Sequence, residues 1–198
     1  SVLRAAAMFS FIIIAKTFNR YTNIYNTLAA SASLLLAINP YLIMDVGFQL
    51  SYVAVIGIVY IQPKVNALYE PGNWLTEQVL TITSVSVAAQ IATFPLGVYY
   101  FHQFPNYFLI SNFIVVPLST VIMYAGIALF LFSKVPFIAG CIAYGFSRSV
   151  WLLNAAVKGI EKWPHALISG LSITATETIL VYGIIILLLY YFTKKQLR

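Results

Sequence analysis

Apolar residues fall along this chain in long runs separated by short polar punctuation. Seven runs stand out, at about Val2 to Phe18, Ile24 to Asn39, Val46 to Ile61, Glu77 to Tyr100, Tyr107 to Phe132, Pro136 to Val157 and Thr176 to Phe192. Each comes close to the roughly 20 residues an α-helix needs to cross about 30 Å of hydrocarbon. Between Glu77 and Lys134 there is no Asp, Glu, Lys or Arg at all, a stretch long enough for two crossings. The shorter alternating segments of a membrane barrel are absent. Hydrocarbon offers the backbone no hydrogen-bond partners, so spanning segments without barrel patterning must be helical. The predicted fold is all-α: a polytopic transmembrane helical bundle of about seven spans, some kinked or broken at proline, forming a single membrane domain over residues 1–198.

Composition sharpens that reading. The chain is 61% apolar and 8% charged, with a mean hydropathy of +0.89, whereas soluble domains run nearer 45–50% apolar and about a quarter charged. The single cysteine, Cys141, lies inside an apolar run, which excludes a disulfide framework and a thiolate metal cluster within the chain. The first run carries Arg4 near its start and lacks a small-residue cleavage pattern, so a removable signal peptide is not expected. Because Ser1-Val2-Leu3-Arg4 already sits at a helix start, the chain reads as a fragment of a longer protein. Seven alternating crossings place Lys16, Arg20, Lys64, Lys134, Lys194, Lys195 and Arg198 on one side, which the positive-inside rule assigns to the cytoplasm together with the C-terminus. The net charge of +6 is mostly this bias.

Polar residues within the apolar runs are few. Pro95 and Pro117 interrupt two runs and free the carbonyls of Ile91 and Phe113. Gln90 and Asn112 stand five residues before them, so a wet cavity at paired breaks competes with simple proline kinks. Asn39-Pro40 breaks the chain before the third run. Asp45, Gln49 and Tyr52 share one helix face by spacing; Asp45 reads first as a helix N-cap, the cheaper explanation, and a role on a pore or partner surface is compatible with it. Arg4 and Asp45 fall at one membrane level and are candidates for an ion pair. Arg148 lies well inside the sixth run, where it either snorkels or faces a hydrated path. Small residues recur at helical spacing in Ala29, Ser33, Ala37 and in Ser84, Ala88, Ala92, as close helix packing requires. The segment from Trp163 to Ile173 is apolar but too short to span, and predicts an interfacial or re-entrant loop. His102 and His165 fall in separate loops on one side with no ligand-spaced Cys or carboxylate, so no metal or other cofactor is expected. No nucleophile–base arrangement, paired intramembrane aspartates or phosphate-cradling glycine loop occurs, which points to transport or binding and away from an enzyme.

The ordered string Ser1-Val2-Leu3-Arg4-Ala5, Asn39-Pro40, Asp45-Val46-Gly47-Phe48-Gln49-Leu50-Ser51, Gln90-Ile91-Ala92-Thr93-Phe94-Pro95, Tyr100-Phe101-His102-Gln103-Phe104-Pro105 and Asn112-Phe113-Ile114-Val115-Val116-Pro117 resembles the later portion of the membrane-embedded competence domain of ComEC-type DNA-uptake channels. That resemblance implies a channel passing single-stranded DNA across the bacterial cytoplasmic membrane during natural transformation. It also implies upstream helices, an oligonucleotide-binding-like domain and often a nuclease-like domain outside this chain. The implied partners are single-stranded DNA, the lipid bilayer and other competence-machinery proteins, including a separate motor. Candidate DNA-path or pore-lining residues are Arg4, Asp45, Gln49, Ser51, Gln90, Asn112 and Arg148; candidate helix-break residues are Asn39, Pro40, Gly47, Pro95 and Pro117. A secondary transporter of a small solute and a passive helical scaffold are the competing readings. The first is weakened by the placement of Asp45, Glu77 and Glu177 near predicted helix ends.

Overall fold

The computed structural model describes Ala6, Ser10, Ile13 and residues 23–67 and 72–196. The first apolar run and Arg4, with its suggested pairing to Asp45, lie outside the described residues. The elements are α1 (Ile24–Ile38), a 3-10 turn (Pro40–Met44), α2 (Val46–Asn66), α3 (Trp74–Phe101), β1 (Gln103–Pro105), α4 (Phe108–Leu131), α5 (Pro136–Glu161), β2 (Leu167–Ser169) and α6 (Ala175–Gln196). The all-α expectation holds. Five helices, α2 to α6, are long and apolar enough to cross a membrane. With 15 residues, α1 reaches only about 22 Å at 1.5 Å per residue and falls short of a crossing by itself. The described residues therefore carry fewer spans than the seven expected.

Side-chain caps explain where the chain breaks between α1 and α2. Asn39 closes α1, and its carboxamide oxygen accepts from the Tyr41 N–H at 3.1 Å, starting the 3-10 turn. Pro40 occupies the first position of that turn, where a missing N–H costs nothing. Asp45 closes the turn and opens α2, its Oδ1 accepting from the Phe48 N–H at 2.7 Å. At the other end of the chain, Thr174 and Glu177 form a capping box. The Thr174 N–H donates to Glu177 Oε2 at 2.7 Å and the Glu177 N–H donates to Thr174 Oγ1 at 3.3 Å.

Pro95 and Pro117 behave differently from Pro40: α3 and α4 run through them as continuous helices. A neighbouring helix supports the backbone beside the buried Pro95, where the Tyr182 hydroxyl of α6 donates to the Ala92 carbonyl at 2.9 Å. Helix α2 also continues past Pro63 to Asn66. There Lys64 Nζ lies 3.3 Å from the Tyr60 ring centroid and donates to Thr193 Oγ1 at 2.8 Å, anchoring the last turn to α6.

The chain divides into two compact units. The first contains residues 1–64, 88–101 and 174–198. Its core joins Leu28 of α1 to Phe48 and Tyr52 of α2, flanked by Ala32, Leu35, Leu36, Leu42 and Val55. Gly57 packs against Ala88 and Ala92, so the small-residue stripe of α3 serves close helix approach as expected. The stripe of α1 does not: Ala29, Ser33 and Ala37 are exposed, because α1 buries Thr27, Leu28 and Ser31 instead.

The second unit contains residues 65–87 and 102–173. Helices α4 and α5 form a hairpin, with Phe146 3.5 Å from the point where a Cβ on Gly126 would stand. Strands β1 and β2 pair antiparallel, with Gln103 opposite Ser169, Phe104 opposite Ile168 and Pro105 opposite Leu167. The expected interfacial loop after Trp163 thus contains a short strand. Large apolar side chains such as Phe130 (82% exposed) and Ile179 (70% exposed) point outward, as suits a protein whose solvent is lipid.

Candidate functional site

In the first unit, the polar face of α2 is a hydrogen-bonded junction. Gln49 Nε2 donates to the Ile43 carbonyl of the 3-10 turn at 2.8 Å, while its Oε1 accepts from the Tyr100 hydroxyl at the end of α3 at 2.9 Å. One turn further along, the Tyr52 hydroxyl lies 3.1 Å from Ser31 Oγ of α1, and Ser31 Oγ donates to the Leu28 carbonyl at 2.8 Å. The Phe48 and Tyr52 rings meet with centroids 4.5 Å apart. The predicted shared face of Asp45, Gln49 and Tyr52 is real. It joins the 3-10 turn, α1 and the C-terminal end of α3 to the start of α2. Ser51 Oγ turns back to the Gly47 carbonyl at 2.6 Å, so Gly47 lies inside the first turn of α2 and does not break it.

The amides before the two prolines have separate surroundings. Asn112 Nδ2 donates to Ser86 Oγ at 3.0 Å, a link between α4 and the first half of α3 inside the second unit. Gln90 is half-buried in the first unit, and no hydrogen bond joins its side chain to another described residue. Arg148 lies at the middle of α5, exposed. Its Nε donates to the Tyr144 hydroxyl at 3.2 Å, and its guanidinium carbon is 5.4 Å from the Tyr144 ring centroid. The structure gathers Asp45, Gln49 and Ser51 at the start of α2. Gln90 lies on α3 in the same unit, and Asn112 and Arg148 belong to the other unit.

The β1–β2 ribbon is the functional-looking element that sequence reasoning missed. Its two entry residues, His102 and His165, adopt left-handed backbone with φ of 55° and 57°, and Gly170 follows at 83°. Asn106 Nδ2 donates to the His165 carbonyl at 2.7 Å, the Tyr107 hydroxyl donates to the Pro164 carbonyl at 3.0 Å, and the Gly170 N–H donates to the His102 carbonyl at 3.1 Å. Tyr107 and Trp163 meet edge to face at 5.2 Å. The two histidine loops, expected on one side of the membrane, are thus stitched together. A strand of three residues leaves too little alternation to read from sequence; Gly170 followed by polar and β-branched residues was the available signal. Tyr100 and Ser86, the partners of Gln49 and Asn112, were also missed, since nothing local marks a hydroxyl that serves a distant helix. Among the described residues no three His, Cys, Asp or Glu side chains group as metal ligands.

Comparison with known proteins adds a family. The family model described as "Competence protein" matches residues 1–195. The chain is 26% identical over 198 residues to a protein of Bacillus subtilis (strain 168) named ComE operon protein 3, covering 98% of this chain and 23% of that relative. It therefore spans about a quarter of the length of the curated relative it matches. No solved structure matches.

Proposed function

We propose that this chain, which belongs to the competence protein family, forms part of a channel that passes a single strand of DNA across the bacterial cytoplasmic membrane during natural transformation. The observation that carries this reading is the family match over residues 1–195, on a chain whose described helices include five able to span a bilayer. In this reading the first apolar run and α1 with its 3-10 turn complete about seven crossings within one membrane domain. The ends of α2 and α6, joined through Lys64 and Thr193, face the cytoplasm with Lys194, as their positive charge favours. The protein acts by conduction and not by bond-breaking, so the drive comes from a separate motor protein. The polar residues have two tasks. Asp45 caps α2, and Gln49, Tyr52 and Asn112 join helices through the bonds described, while the half-buried Gln90 and the exposed Arg148, each within its own unit, are the candidates for the path.

The test is uptake of labelled DNA by competent cells carrying the full-length protein, with added nuclease separating surface-bound from internal DNA. Deleting the protein should leave surface binding intact and abolish protected DNA. Replacing Gln90 or Arg148 by Leu should lower protection with the protein still in the membrane. Normal protection in the deletion strain contradicts the reading.

A further inference from the structure

The outward face of α5 is unused by the packing described above. Ala139, Ala143, Phe146, Val150, Leu153 and Ile160 form its shielded side, with Phe146 against Gly126 of α4. Phe137, Tyr144, Arg148, Trp151, Lys158 and Lys162 follow one another at intervals of seven, four, three, seven and four residues. At 3.6 residues per turn they form a single stripe diametrically opposite the shielded side. All six are exposed, Phe137 at 82%, Tyr144 at 64% and Trp151 at 62%. The stripe holds three aromatic residues and three cations, with Arg148 between Tyr144 and Trp151, and includes no acid.

Membrane proteins collect aromatics and lysines at headgroup level, which accounts for Lys158 and Lys162 near the helix end. It does not account for the centre of the stripe. Arg148 is the thirteenth residue of a 26-residue helix, roughly 19 Å from either end. A lipid-facing arginine there would have to reach far beyond its side chain's length to find headgroups. Arg148 is instead held by the Tyr144 hydroxyl through Nε, which leaves four of its five N–H donors without a partner among the described residues. Trp151 stands about 10 Å from Tyr144 along the helix axis, with Arg148 between them in sequence.

We propose that this stripe is a binding track for a single strand of nucleic acid, Tyr144 and Trp151 offering faces on which bases stack and Arg148, Lys158 and Lys162 pairing with phosphates. Stacking faces interleaved with cations are what a strand of any sequence requires, and an acid-free face of three cations complements a polyanion. The proposal rests on the DNA-uptake reading and assigns it a surface.

Full-length protein in nanodiscs of neutral lipid, titrated with a fluorescent single-stranded oligonucleotide, tests the track. Trp151→Leu should weaken binding about tenfold while Trp151→Tyr retains it. Arg148→Gln should flatten the slope of log affinity against log salt by about 0.7, and Arg148→Lys should keep it. Losses that the Tyr and Lys variants fail to restore overturn the track. So does wild-type affinity and salt slope in Trp151→Leu and Arg148→Gln. If Arg148→Gln leaves oligonucleotide binding intact but weakens association with anionic-lipid vesicles, the face is a lipid contact and the proposal falls. Wild-type protein that binds no oligonucleotide sinks the DNA-uptake reading itself; wild-type binding with indifferent variants sinks the track alone.

Discussion

Replacing Gly57 by Ala tests how the first unit is held together. A methyl built on Gly57 would fall onto the Ala92 methyl and stand 3.2 Å from the Ala88 carbonyl oxygen. Neither obstacle can rotate away, since one is a Cβ and the other belongs to the backbone of α3. Helix α2 must therefore retreat. Carbon pairs prefer about 3.5–4.0 Å, and a gap of even 0.5–1 Å forfeits a quarter to a half of each dispersion contact. Retreat also strains the Gln49–Tyr100 bond between the same two helices. Overpacking of this kind costs about 1–3 kcal/mol, and the fixed obstacles put Gly57→Ala toward the upper end. The assay is unfolding of the full-length protein in mixed micelles, followed by loss of helix signal with increasing denaturing detergent. The double variant Gly57→Ala, Ala92→Gly moves the methyl from one helix to the other and should recover most of the loss. A single variant as stable as wild type, or a double variant no better than the single, refutes the close-packing argument.

Three further outcomes are expected. A double-mutant cycle on Gln49→Leu and Tyr100→Phe should give a coupling of about 0.6 kcal/mol, with about 1.7 as the ceiling for such interhelical bonds; strictly additive losses would show that the pair does not interact. Asp45→Ala should cost about 0.5–2 kcal/mol while Asp45→Asn, which keeps an oxygen on the Phe48 N–H, stays near neutral; equal losses would mean that charge and not capping matters. His165→Gly should stabilise the ribbon and His165→Val weaken it, since left-handed backbone costs a side-chain-bearing residue about 1–2 kcal/mol; hydrogen exchange at the Gly170 N–H reports the change, and the opposite order would contradict the assigned conformation.

What could be read from the sequence was whatever is local. Runs of apolar residues located α2 to α6 within a few positions, because length in hydrocarbon is a one-dimensional property. Asn39, Pro40 and Asp45 announced the turn before α2, since caps act within three residues. Arg148 fell inside its helix as expected. Pro95 was different: its helix stays continuous in company with a hydroxyl from Tyr182, far along the chain, and no local pattern tells such a proline from Pro40. The exposed stripe Ala29, Ser33 and Ala37 shows the same limit, since periodicity reveals that a face exists but not whether a neighbour uses it. The amides illustrate it best. Gln49 and Asn112 looked like donors in need of water, yet the Ile43 carbonyl and the Ser86 hydroxyl occupy them.

Arresting DNA in transit would test the central claim most directly. A transforming strand that carries photoreactive bases and ends in a bulky protein block stalls during import by competent cells. Irradiation should then attach the strand to the full-length protein, and mass spectrometry should find the linked peptides within residues 1–195. A stalled, nuclease-protected strand that cross-links to other membrane proteins and never to this region would contradict the account.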